Sequence, residues 1–338
     1  MHQPRITIVT PSFNRGWSIR SCIESLRSQT FVDYEHIIVD GGSTDDTLKI
    51  LHEVSEADSR IKYITEPDNG MYDAVNKGMR LASSEIVAYL NTDDFYLPHT
   101  LEQVLRAFAE NPDVSMLYGH WMSWHSEINF LEILPVLNYS AADLALFAVL
   151  PQPSVFFKRK VFESIGGFDL SYKLLADNDF FSKAAVNGFK FKRIDEYLAV
   201  QTVHSGNLLA GNADALLQAK YEGDCYRQAR IKELSNGGCK FAGMTKAHIH
   251  KFILPISWRL YFLYRWLLRD DADSAEFRSK FFQMECVQVS SYSLFRYVFC
   301  LSKRCRYVFC TVGVIKFANM LGFMPPNCNL ASLLIRSD

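Results

Sequence analysis

The chain begins with an alternation of short apolar segments and segments of helical periodicity, and this order restricts the fold more than any other feature. Strands are predicted for the apolar segments, which are residues 6–10, 34–39, 61–64 and 86–90. Helices are predicted for the segments between them, which are residues 18–29, 47–54 and 74–81. Strands and helices in this order form a largely parallel sheet covered by helices, and strands this apolar are buried on both faces. The sequence therefore predicts the α/β fold class.

The second part of the chain continues with mixed elements and then becomes helical. Helices are predicted for residues 99–110, 160–164 and 177–187, and strands for residues 114–118, 155–157, 189–194 and 197–204. Residues 121–150 show no pattern that assigns them. The composition changes near Gly206, after which residues 208–233 have the spacing of a long helix. We therefore expect one domain over residues 1–210 and a mostly helical region over residues 211–338.

Two adjacent carboxylates, Asp93 and Asp94, follow the very apolar strand predicted at residues 86–90. Carboxylates beside a core are costly unless a cation or hydrogen bonds compensate their charge. In open α/β sheets, ligands bind at the carboxyl ends of the strands, so this pair is well placed to hold a divalent metal over a ligand. A polar loop after a strand is the simpler alternative, and for two aspartates alone it would be preferred.

The overall charge and the cysteines argue against several other classes of protein. The formal net charge is -1 and the pI is about 6.8, which argues against a protein that binds nucleic acid by neutralising phosphates. The eight cysteines show neither CxxC pairs nor the spacing of a zinc site, and we interpret them as reduced thiols of a cytosolic protein. The first strand follows residues 1–5 directly, so no signal peptide is expected there.

Four loops with distinctive residues follow the predicted strands at the same edge of the sheet. In chain order they read Thr-Pro-Ser-Phe-Asn at 10–14, Asp-Gly-Gly-Ser-Thr-Asp at 40–45, Glu-Pro-Asp-Asn-Gly-Met-Tyr-Asp-Ala-Val-Asn-Lys-Gly at 66–78 and Asn-Thr-Asp-Asp at 91–94. Loops at the carboxyl ends of parallel strands converge on one crevice. Each motif is weak by itself, but the four in this order are far more specific, and the third is the most specific of them.

Together the four motifs resemble those of the family 2 glycosyltransferases, which have the GT-A fold, and the resemblance covers residues 4–205. The third motif is similar to that of a bacterial branch of this family, whose members build the sugars of capsule, O-antigen and exopolysaccharide. The resemblance implies an inverting transfer of one hexose or N-acetylhexosamine from a nucleotide-diphosphate sugar, with UDP favoured, to a hydroxyl of a saccharide or polyprenyl-linked acceptor. It also implies that residues 1–95 bind the nucleotide sugar and residues 96–210 the acceptor. The Gln-x-x-Arg-Trp motif of processive synthases is absent between Phe180 and Gly206, so a single addition is expected.

The resemblance assigns several residues to the donor nucleotide sugar. Phe13 matches the position whose ring packs near the base, Asp40 matches the carboxylate that accepts a hydrogen bond from the uracil N–H, and Asp73 touches the sugar or ribose. Guanine also offers an N–H to such a carboxylate, so the base stays open. The other donor-binding residues implied are Pro11, Asn14, Gly42, Ser43, Asp93 and Gln152. Ser43 is also a good helix cap, and Gln152 could equally close a turn.

The resemblance also implies a metal site and a catalytic base. Asp94 is expected to ligate Mg²⁺ or Mn²⁺, with Asp93 beside it, because hard oxygen ligands suit these ions. His204 could complete this shell or have only a structural role. Asp177 is implied as the base that takes the proton from the acceptor hydroxyl, with Asp179 as the second choice, and such a base accelerates a reaction about 10²–10⁴-fold. Without the family pattern, Asp177 would be interpreted as a helix N-cap.

Residues 246–269 combine basic and aromatic side chains, and Pro255 together with three arginines opposes a membrane-spanning helix there. This blend favours an interfacial helix on an anionic membrane, and residues 295–323 have a similar composition. The alternative is a helical subdomain that packs on the catalytic core or on a second subunit. A lipid-linked acceptor would give membrane contact a purpose, so we expect a cytoplasmic protein that is peripheral on the cytoplasmic face of the inner membrane.

Two other functions are compatible with part of these motifs. A nucleotidyltransferase also uses an α/β sheet with carboxylate-bound Mg²⁺, but it needs a Gly-rich, basic phosphate loop near the N-terminus, and residues 11–14 are not one. A non-catalytic sugar-nucleotide-binding or membrane-associated protein could keep Asp40 and Asp94 without needing Asp177. Loss of turnover in an Asp177→Asn variant that still binds donor would separate an enzyme from such a binding protein.

Overall fold

The computed structural model describes residues 3–134, 136, 139, 144–145, 150–208 and 213–235 of the 338-residue chain. Within these residues the chain forms one mixed sheet with helices packed against it. The strands are β1 (Ile6–Ser12), β2 (Tyr34–Asp40), β3 (Ile61–Thr65), β4 (Ile86–Tyr89), β5 (Phe95–Tyr96), β6 (Met116–His125), β7 (Phe130–Leu134), β8 (Val155–Lys158) and β9 (Phe191–Val203). The helices are α1 (Ile19–Arg27), α2 (Thr47–Ala57), α3 (Met71–Leu81), α4 (Thr100–Glu110), α5 (Arg159–Ile165), α6 (Ala176–Val186) and α7 (Ala213–Ser235), and a 3-10 turn covers Gln152–Ser154.

The strand order of the sheet is β3-β2-β1-β4-β8-β6-β9-β5, and β7 pairs with β6. The pairs β3–β2, β2–β1 and β1–β4 are parallel, as the alternation of strands and helices predicts. Strand β8 is antiparallel to both β4 and β6, so the strand direction changes in the middle of the sheet. The carboxyl ends of β1, β2 and β4 therefore lie at one edge, where the loops that follow them meet.

The first half of the sheet is buried on both faces because its strands are apolar and helices cover them. Every residue of β1, β2 and β4 is buried. Helix α3 contributes Val75 and Met79 to the hydrophobic cluster that contains Val9 of β1. A Cβ atom on Gly78 of α3 would lie 2.4 Å from Cγ1 of Val9, so this helix packs as close to the sheet as a glycine allows. Helix α1 covers the sheet with its buried residues Ile19, Cys22, Ile23 and Leu26.

One prediction about the second half of the sheet is wrong. Residues 189–194 and 197–204 were predicted as two strands, but one strand, β9, runs from Phe191 to Val203. The charged Asp195 stays inside this strand because its Oδ1 atom lies 2.9 Å from Nε2 of the buried His120. The neighbouring strand β6 absorbs the irregularity at Gly119, where the pairing register shifts. His120 of β6 therefore stabilises the polar segment around Asp195, where the sequence pattern predicts a break between two strands.

Most of the other elements agree with the sequence to within a few residues, but β6 extends to His125 rather than to residue 118, and β5 was not predicted. Helix α3 begins at Met71 rather than at residue 74, so the third motif forms the first turns of this helix. Residues 121–150, which the sequence left unassigned, contain the end of β6 and the whole of β7. The structure thus adds a hairpin on the far half of the sheet.

Helix α7 belongs to the same compact unit as the sheet, and this unit covers Met1–Gly243. The expected domain boundary near residue 210 stays a prediction, because most of the region beyond it lies outside the described residues. Residues 246–269 and 295–323, for which membrane contact is predicted, also lie outside them. Among the helices that the structure describes, none is both long and apolar enough to cross a membrane.

Candidate functional site

Hydrogen bonds join the loops after β1 and β2 at the edge of the sheet. The Gly41 N–H donates to the carbonyl of Ser12 at 2.8 Å. Asn14 accepts the Thr44 N–H at 2.8 Å through Oδ1, and its own N–H donates to Oγ of Ser43 at 2.7 Å. Asn14 has a φ of 52°, in the left-handed region that asparagine tolerates. The two loops are therefore one structural unit, and Asn14 and Ser43 belong to its framework.

Asp40 is fully buried at the end of β2 and organises the turn that follows it. Its Oδ2 atom accepts the N–H groups of Gly42 at 3.0 Å and Ser43 at 2.8 Å and the hydroxyl of Thr65 at 3.0 Å. Its Oδ1 atom accepts the Ser43 hydroxyl at 2.5 Å. A carboxylate oxygen can accept a second hydrogen bond, so Oδ1 is the better placed atom for an N–H of a base. Gly42 has a φ of 89°, which permits this turn.

Two exposed aromatic rings lie beside this pair of loops. Phe13 is 56% exposed and Trp17 is 61% exposed. The Trp17 ring meets the ring of His204 edge-on at a centroid distance of 5.0 Å, and the Arg15 guanidinium lies 6.0 Å from the Trp17 ring. Exposed aromatic rings next to polar groups are typical of a surface that binds a ligand. Pro11, by contrast, is buried within β1 and pairs with β2.

Asp73 lies in the first turn of α3 and is mostly buried. Its Oδ2 atom accepts the backbone N–H of Asn69 at 3.0 Å and the Asn69 side-chain amide at 3.3 Å. The Lys77 ammonium lies 3.7 Å from the same oxygen and 2.9 Å from a carboxylate oxygen of Glu66. These contacts give Asp73 a clear role in shaping the third loop. Its contact with a sugar or ribose stays a prediction.

Asp93, His204 and Asn207 are brought together from two distant parts of the chain. Nε2 of His204 lies 3.1 Å from Oδ2 of Asp93, and the Asn207 amide donates to the same oxygen at 3.3 Å. Nδ1 of His204 accepts the Gly206 N–H at 3.0 Å. A neutral ring therefore carries its proton on Nε2 and donates it to Asp93. The loop after β9 is thus tied to the acidic loop after β4.

Asp94 differs sharply from its neighbour Asp93 in its surroundings. Asp94 is 2% exposed, and one of its oxygens accepts the Thr202 N–H at 3.0 Å. Burial raises the pKa of Asp94 well above its usual range, and the charge of Asp93 raises it further. The side chain of Asp93 is 14% exposed. Asp93 is therefore the more accessible of the two carboxylates, although the sequence favoured Asp94 as the main metal ligand.

The residues at this edge fit a divalent cation that a bound substrate helps to hold. Among the described residues, no group of three histidine, cysteine, aspartate or glutamate side chains is arranged as a metal site. Mg²⁺ usually keeps several waters and is bound through one or two carboxylates together with substrate phosphates. A partly exposed carboxylate such as Asp93 suits that arrangement. A cation here would depend on a bound diphosphate for the rest of its ligands.

Asp177 lies in the first turn of α6 and meets two tyrosine hydroxyls. Its Oδ1 atom accepts the Tyr72 hydroxyl at 3.0 Å and the Asn178 N–H at 2.8 Å, and Tyr89 lies near the carboxylate. Burial raises the pKa of Asp177 to about 6, although these hydrogen bonds lower it. Such a carboxylate is mostly ionised at pH 7 and can still take a proton, which suits a general base. The N-cap residue of α6 is Leu175, so the capping alternative for Asp177 is wrong.

Tyr89 connects Asp177 to the acidic loop. It is the last residue of β4, and Asp93 follows shortly after it in the chain. Its carbonyl accepts the side-chain amide of Gln152 at 2.7 Å. Gln152 therefore joins the turn before β8 to the end of β4. The candidate base and the candidate metal ligand consequently lie at the same end of this strand.

Asp179, the second choice for the base, is held in a buried ion-pair cluster. It is 1% exposed, and its two oxygens lie 2.7 Å from the Lys183 ammonium and 3.3 Å from the Arg230 guanidinium. Its buried carboxylate is already occupied by two cationic side chains and is not exposed to an acceptor hydroxyl. These contacts favour Asp177 over Asp179 as the base.

Four residues of this site were missed by the sequence analysis, and they are Trp17, Tyr72, Tyr89 and Asn207. Tyr72 and Tyr89 are buried aromatics on a helix and a strand, and such residues are usually core residues. Their polar contacts depend on an approach between distant segments, which periodicity does not show. Trp17 could have been selected as a large aromatic residue just after the first motif.

Known proteins resemble this chain in sequence. The sequence model described as Glycosyl transferase family 2 matches residues 7–165. A PGL/p-HBAD biosynthesis glycosyltransferase of Mycobacterium bovis is 31% identical over 183 residues, which are 53% of this chain and 69% of the relative. A glycosyltransferase of Nostoc sp. is 25% identical over 264 residues, which are 75% of this chain and 77% of the relative.

Solved structures resemble the chain in fold. Staphylococcus aureus TarS 1-349 in complex with UDP aligns with a TM-score of 0.56 and 17% identity, over 80% of this chain and 77% of that one. The mannosyltransferase PcManGT from Pyrobaculum calidifontis, in complex with GDP-Man and Mn²⁺, aligns with a TM-score of 0.54 and 16% identity, over 93% and 87%. The chain covers 41% of the longer TarS structure. These similarities confirm the predicted GT-A fold.

Proposed function

This chain belongs to glycosyltransferase family 2, and from that premise we propose that it moves one hexose or N-acetylhexosamine from a nucleotide-diphosphate sugar to a hydroxyl of a saccharide or polyprenyl-linked acceptor. The reaction inverts the anomeric centre. The third motif supports a role in the synthesis of surface polysaccharides such as capsule, O-antigen or exopolysaccharide.

The observation that carries this proposal is the place of Asp177. Its carboxyl has a pKa raised by burial to about 6, and Tyr89, at the end of β4, lies beside it. Asp93 follows in the loop after the same strand. Displacement of a diphosphate by a hydroxyl needs a base for the hydroxyl proton and a cation-binding carboxylate for the leaving group, held close together.

In the proposed reaction the acceptor oxygen attacks the anomeric carbon as the bond from that carbon to the diphosphate oxygen breaks. Asp177 takes the hydroxyl proton, and Tyr72 orients its carboxylate through a hydrogen bond of 3.0 Å. The attack comes from the side opposite to the leaving diphosphate, so the configuration at the anomeric carbon inverts. The carboxylate of Asp177 receives a proton and forms no bond to the sugar.

Asp93 is the proposed ligand for Mg²⁺ or Mn²⁺, with Asp94 buried beside it. A divalent cation there would supply positive charge for the leaving diphosphate. His204 and Asn207 hold the carboxylate of Asp93 by contacts of 3.1 and 3.3 Å. Direct ligation by Nε2 of His204 would require its proton to move to Nδ1, which would break the hydrogen bond from Gly206. We therefore assign His204 to the orientation of Asp93 rather than to the cation itself.

The nucleotide is proposed to lie on the paired loops after β1 and β2. Asp40 offers its Oδ1 atom to a base N–H, and the exposed ring of Phe13 offers a surface for the base. UDP is the proposed nucleotide, and a structural relative has been solved with UDP. Another relative has been solved with GDP-Man, and guanine also presents an N–H, so both nucleotides enter the test.

A screen of UDP-, dTDP- and GDP-sugars, with and without Mn²⁺, tests the donor part of the proposal. We expect one of the nucleotide sugars to raise the melting temperature only when Mn²⁺ is present. Slow hydrolysis of that sugar should release its nucleotide diphosphate. Asp93→Asn should abolish this shift, whereas Asp113→Asn, which removes a carboxylate with a 63% exposed side chain, should keep it. A folded protein whose melting temperature responds to none of the nucleotides would contradict the proposed donor site.

The acceptor and the cellular location form the last part of the proposal. A polyprenyl-linked acceptor would bring the enzyme to the cytoplasmic face of the inner membrane as a peripheral protein. The basic and aromatic composition of residues 246–269 supports this placement. We expect the full chain to sediment with vesicles that contain anionic lipid and to stay in solution with neutral vesicles. Equal binding to both kinds of vesicle, or to neither, would refute an electrostatic membrane contact.

A further inference from the structure

Helix α7 carries a buried carboxylate that holds the segment leading into α6. Glu222 is 2% exposed, and it accepts the N–H of Lys173 at 2.8 Å and those of Leu174 and Leu175 at 2.9 Å each. Gln218 donates its side-chain amide to the same carboxylate at 2.9 Å. Burial opposes the charge of Glu222, but these hydrogen bonds outweigh it and hold its pKa below the usual range. The N-cap residue Leu175 has no capping side chain, so Glu222 supplies the acceptor for the backbone N–H groups that lead into α6.

One peptide group connects Glu222 with the proposed base. The N–H of this peptide belongs to Leu175 and donates to Glu222, while its carbonyl belongs to Leu174 and lies 3.0 Å from the Tyr72 hydroxyl. The same hydroxyl lies 3.0 Å from Oδ1 of Asp177. The single proton of the Tyr72 hydroxyl serves either of these two acceptors. The carboxylate of Glu222 therefore fixes the peptide that places Tyr72 against Asp177.

We propose that Glu222 is a positioning residue for Asp177 and that helix α7 is a working part of the catalytic unit. The inference rests on the proposed role of Asp177 as the base. Helix α7 lies beyond residues 7–165, which are the residues matched by the family model. A second buried contact, at 3.3 Å between Arg230 and Asp179, ties α7 to α6 and adds to the effect of Glu222.

The groups that face Asp177 come from three elements other than its own helix. Tyr72 of α3 hydrogen bonds to it, and Tyr89 of β4 and Tyr226 of α7 lie close enough to interact with its charge. The charge of Glu222 acts on Tyr72. If the segment before α6 loosens, water reaches Asp177 and lowers its pKa, because burial is the main cause that raises it, and this outweighs the smaller rise from a weaker Tyr72 hydrogen bond. Loss of the Glu222 charge acts in the same direction.

The decisive variant is Glu222→Gln, which keeps the size of the side chain but places an amide NH₂ against backbone N–H donors. The matched control is Asp224→Asn, which makes the same charge change on the same helix at a side chain that is 51% exposed. A ¹³C NMR titration of the aspartate carboxyls, assigned with Asp177→Asn, gives the pKa of Asp177 without any ligand. Hydrolysis of UDP-GlcNAc and GDP-Man, the nucleotide sugars bound by structural relatives, gives kcat and KM.

We expect Glu222→Gln to lower the pKa of Asp177 and to lower the kcat of hydrolysis roughly 10- to 100-fold, because a base displaced by about 1 Å loses that much rate. The donor KM should stay the same, and Asp224→Asn should behave as the wild type does. A merely structural cap would change the melting temperature, but the pKa of Asp177 would stay unchanged in Gln218→Met, which keeps the Glu222 charge. An unchanged pKa and kcat in folded Glu222→Gln would overturn the proposal.

Two further variants keep the test decisive. If Glu222→Gln does not fold, Gln218→Met, which keeps the Glu222 charge and removes its orienting amide, decides by the same shift in pKa. The Asp177→Asn variant distinguishes the base role of Asp177 from the positioning role of Glu222. Wild-type hydrolysis in that variant would remove the base role of Asp177 and with it the proposed function. Loss of hydrolysis there, with no effect of Glu222→Gln or Gln218→Met, would remove only the positioning role.

Discussion

Replacing Tyr72 by phenylalanine removes one hydroxyl from the surroundings of Asp177 and should make that carboxyl harder to ionise. The hydroxyl lies 3.0 Å from both Asp177 Oδ1 and the Leu174 carbonyl, and its single proton favours the charged acceptor. A hydrogen bond to a charged group contributes about 1.5–3 kcal/mol, which is about one to two pKa units. Because the Asn178 N–H keeps its hydrogen bond, we expect the pKa to rise by about one unit from its value of about 6.

This shift has a definite effect on the rate. With a pKa of about 6, Asp177 is about half ionised at pH 6, and a rise of one unit leaves about one tenth of it ionised there. If ionised Asp177 is the base, kcat/KM for hydrolysis of the donor should fall about fivefold at pH 6 in Tyr72→Phe. At about pH 8 both proteins are almost fully ionised at this site, so a rate difference that remains there measures the loss of orientation by Tyr72. The kcat/KM profile reports groups of the free enzyme, which is the state of this structure.

The assay is hydrolysis of the nucleotide sugar below its KM, at saturating Mn²⁺ and constant ionic strength, from about pH 5 to pH 8. Tyr63→Phe is the matched control, because Tyr63 packs against a separate hydrophobic cluster and has no described contact with Asp177. Its acid limb should coincide with that of the wild type. If the acid limb of the wild-type kcat/KM profile lies at about pH 4, the argument that burial raises the pKa of Asp177 is refuted. If the acid limb of Tyr72→Phe stays at the wild-type pH or moves to lower pH, the argument that the Tyr72 hydrogen bond lowers the pKa of Asp177 is refuted.

His36, Gly78 and Trp17 give further tests. Burial lowers the pKa of His36 from 6.5 to about 3, so the unfolded chain binds more protons between these values and stability falls as pH falls below 6.5. This residue should contribute a loss of about 2 kcal/mol between pH 7 and pH 5, and urea unfolding of His36→Gln should show a correspondingly weaker dependence on pH. Gly78→Ala would place a Cβ 2.4 Å from Val9, so urea unfolding should show a loss of about 1–3 kcal/mol, whereas Gly223→Ala, whose nearest contact lies at 3.4 Å, should show none. Trp17→Ala removes an exposed ring beside the proposed metal site and should weaken donor binding about two- to tenfold in calorimetry, and unchanged binding would exclude the ring from the donor site.

Much of the first half of the fold could be predicted because local patterns and tertiary contacts agree there. Strands β1, β2 and β4 are apolar along their whole length, and each is followed by a loop and an amphipathic helix. Parallel strands with such connections place their loops at one edge by geometry alone. Strand β9 could not be predicted as one element, because Asp195 interrupts its pattern, and its contact with His120 of β6 depends on the tertiary structure.

The sequence by itself determined which loops reach the site and which chemical groups they carry, because strand order and motif spacing are local properties. The tertiary structure decided how those groups differ. Asp93 and Asp94 are adjacent and carry the same carboxyl group. Burial and the hydrogen bond from the Thr202 N–H make Asp94 inaccessible, whereas Asp93 stays accessible. In the same way, the surroundings of Asp177 come from α3, β4 and α7, which are far apart in the chain. Solvation and hydrogen bonding depend on all neighbours in space, and no local pattern of residues specifies them.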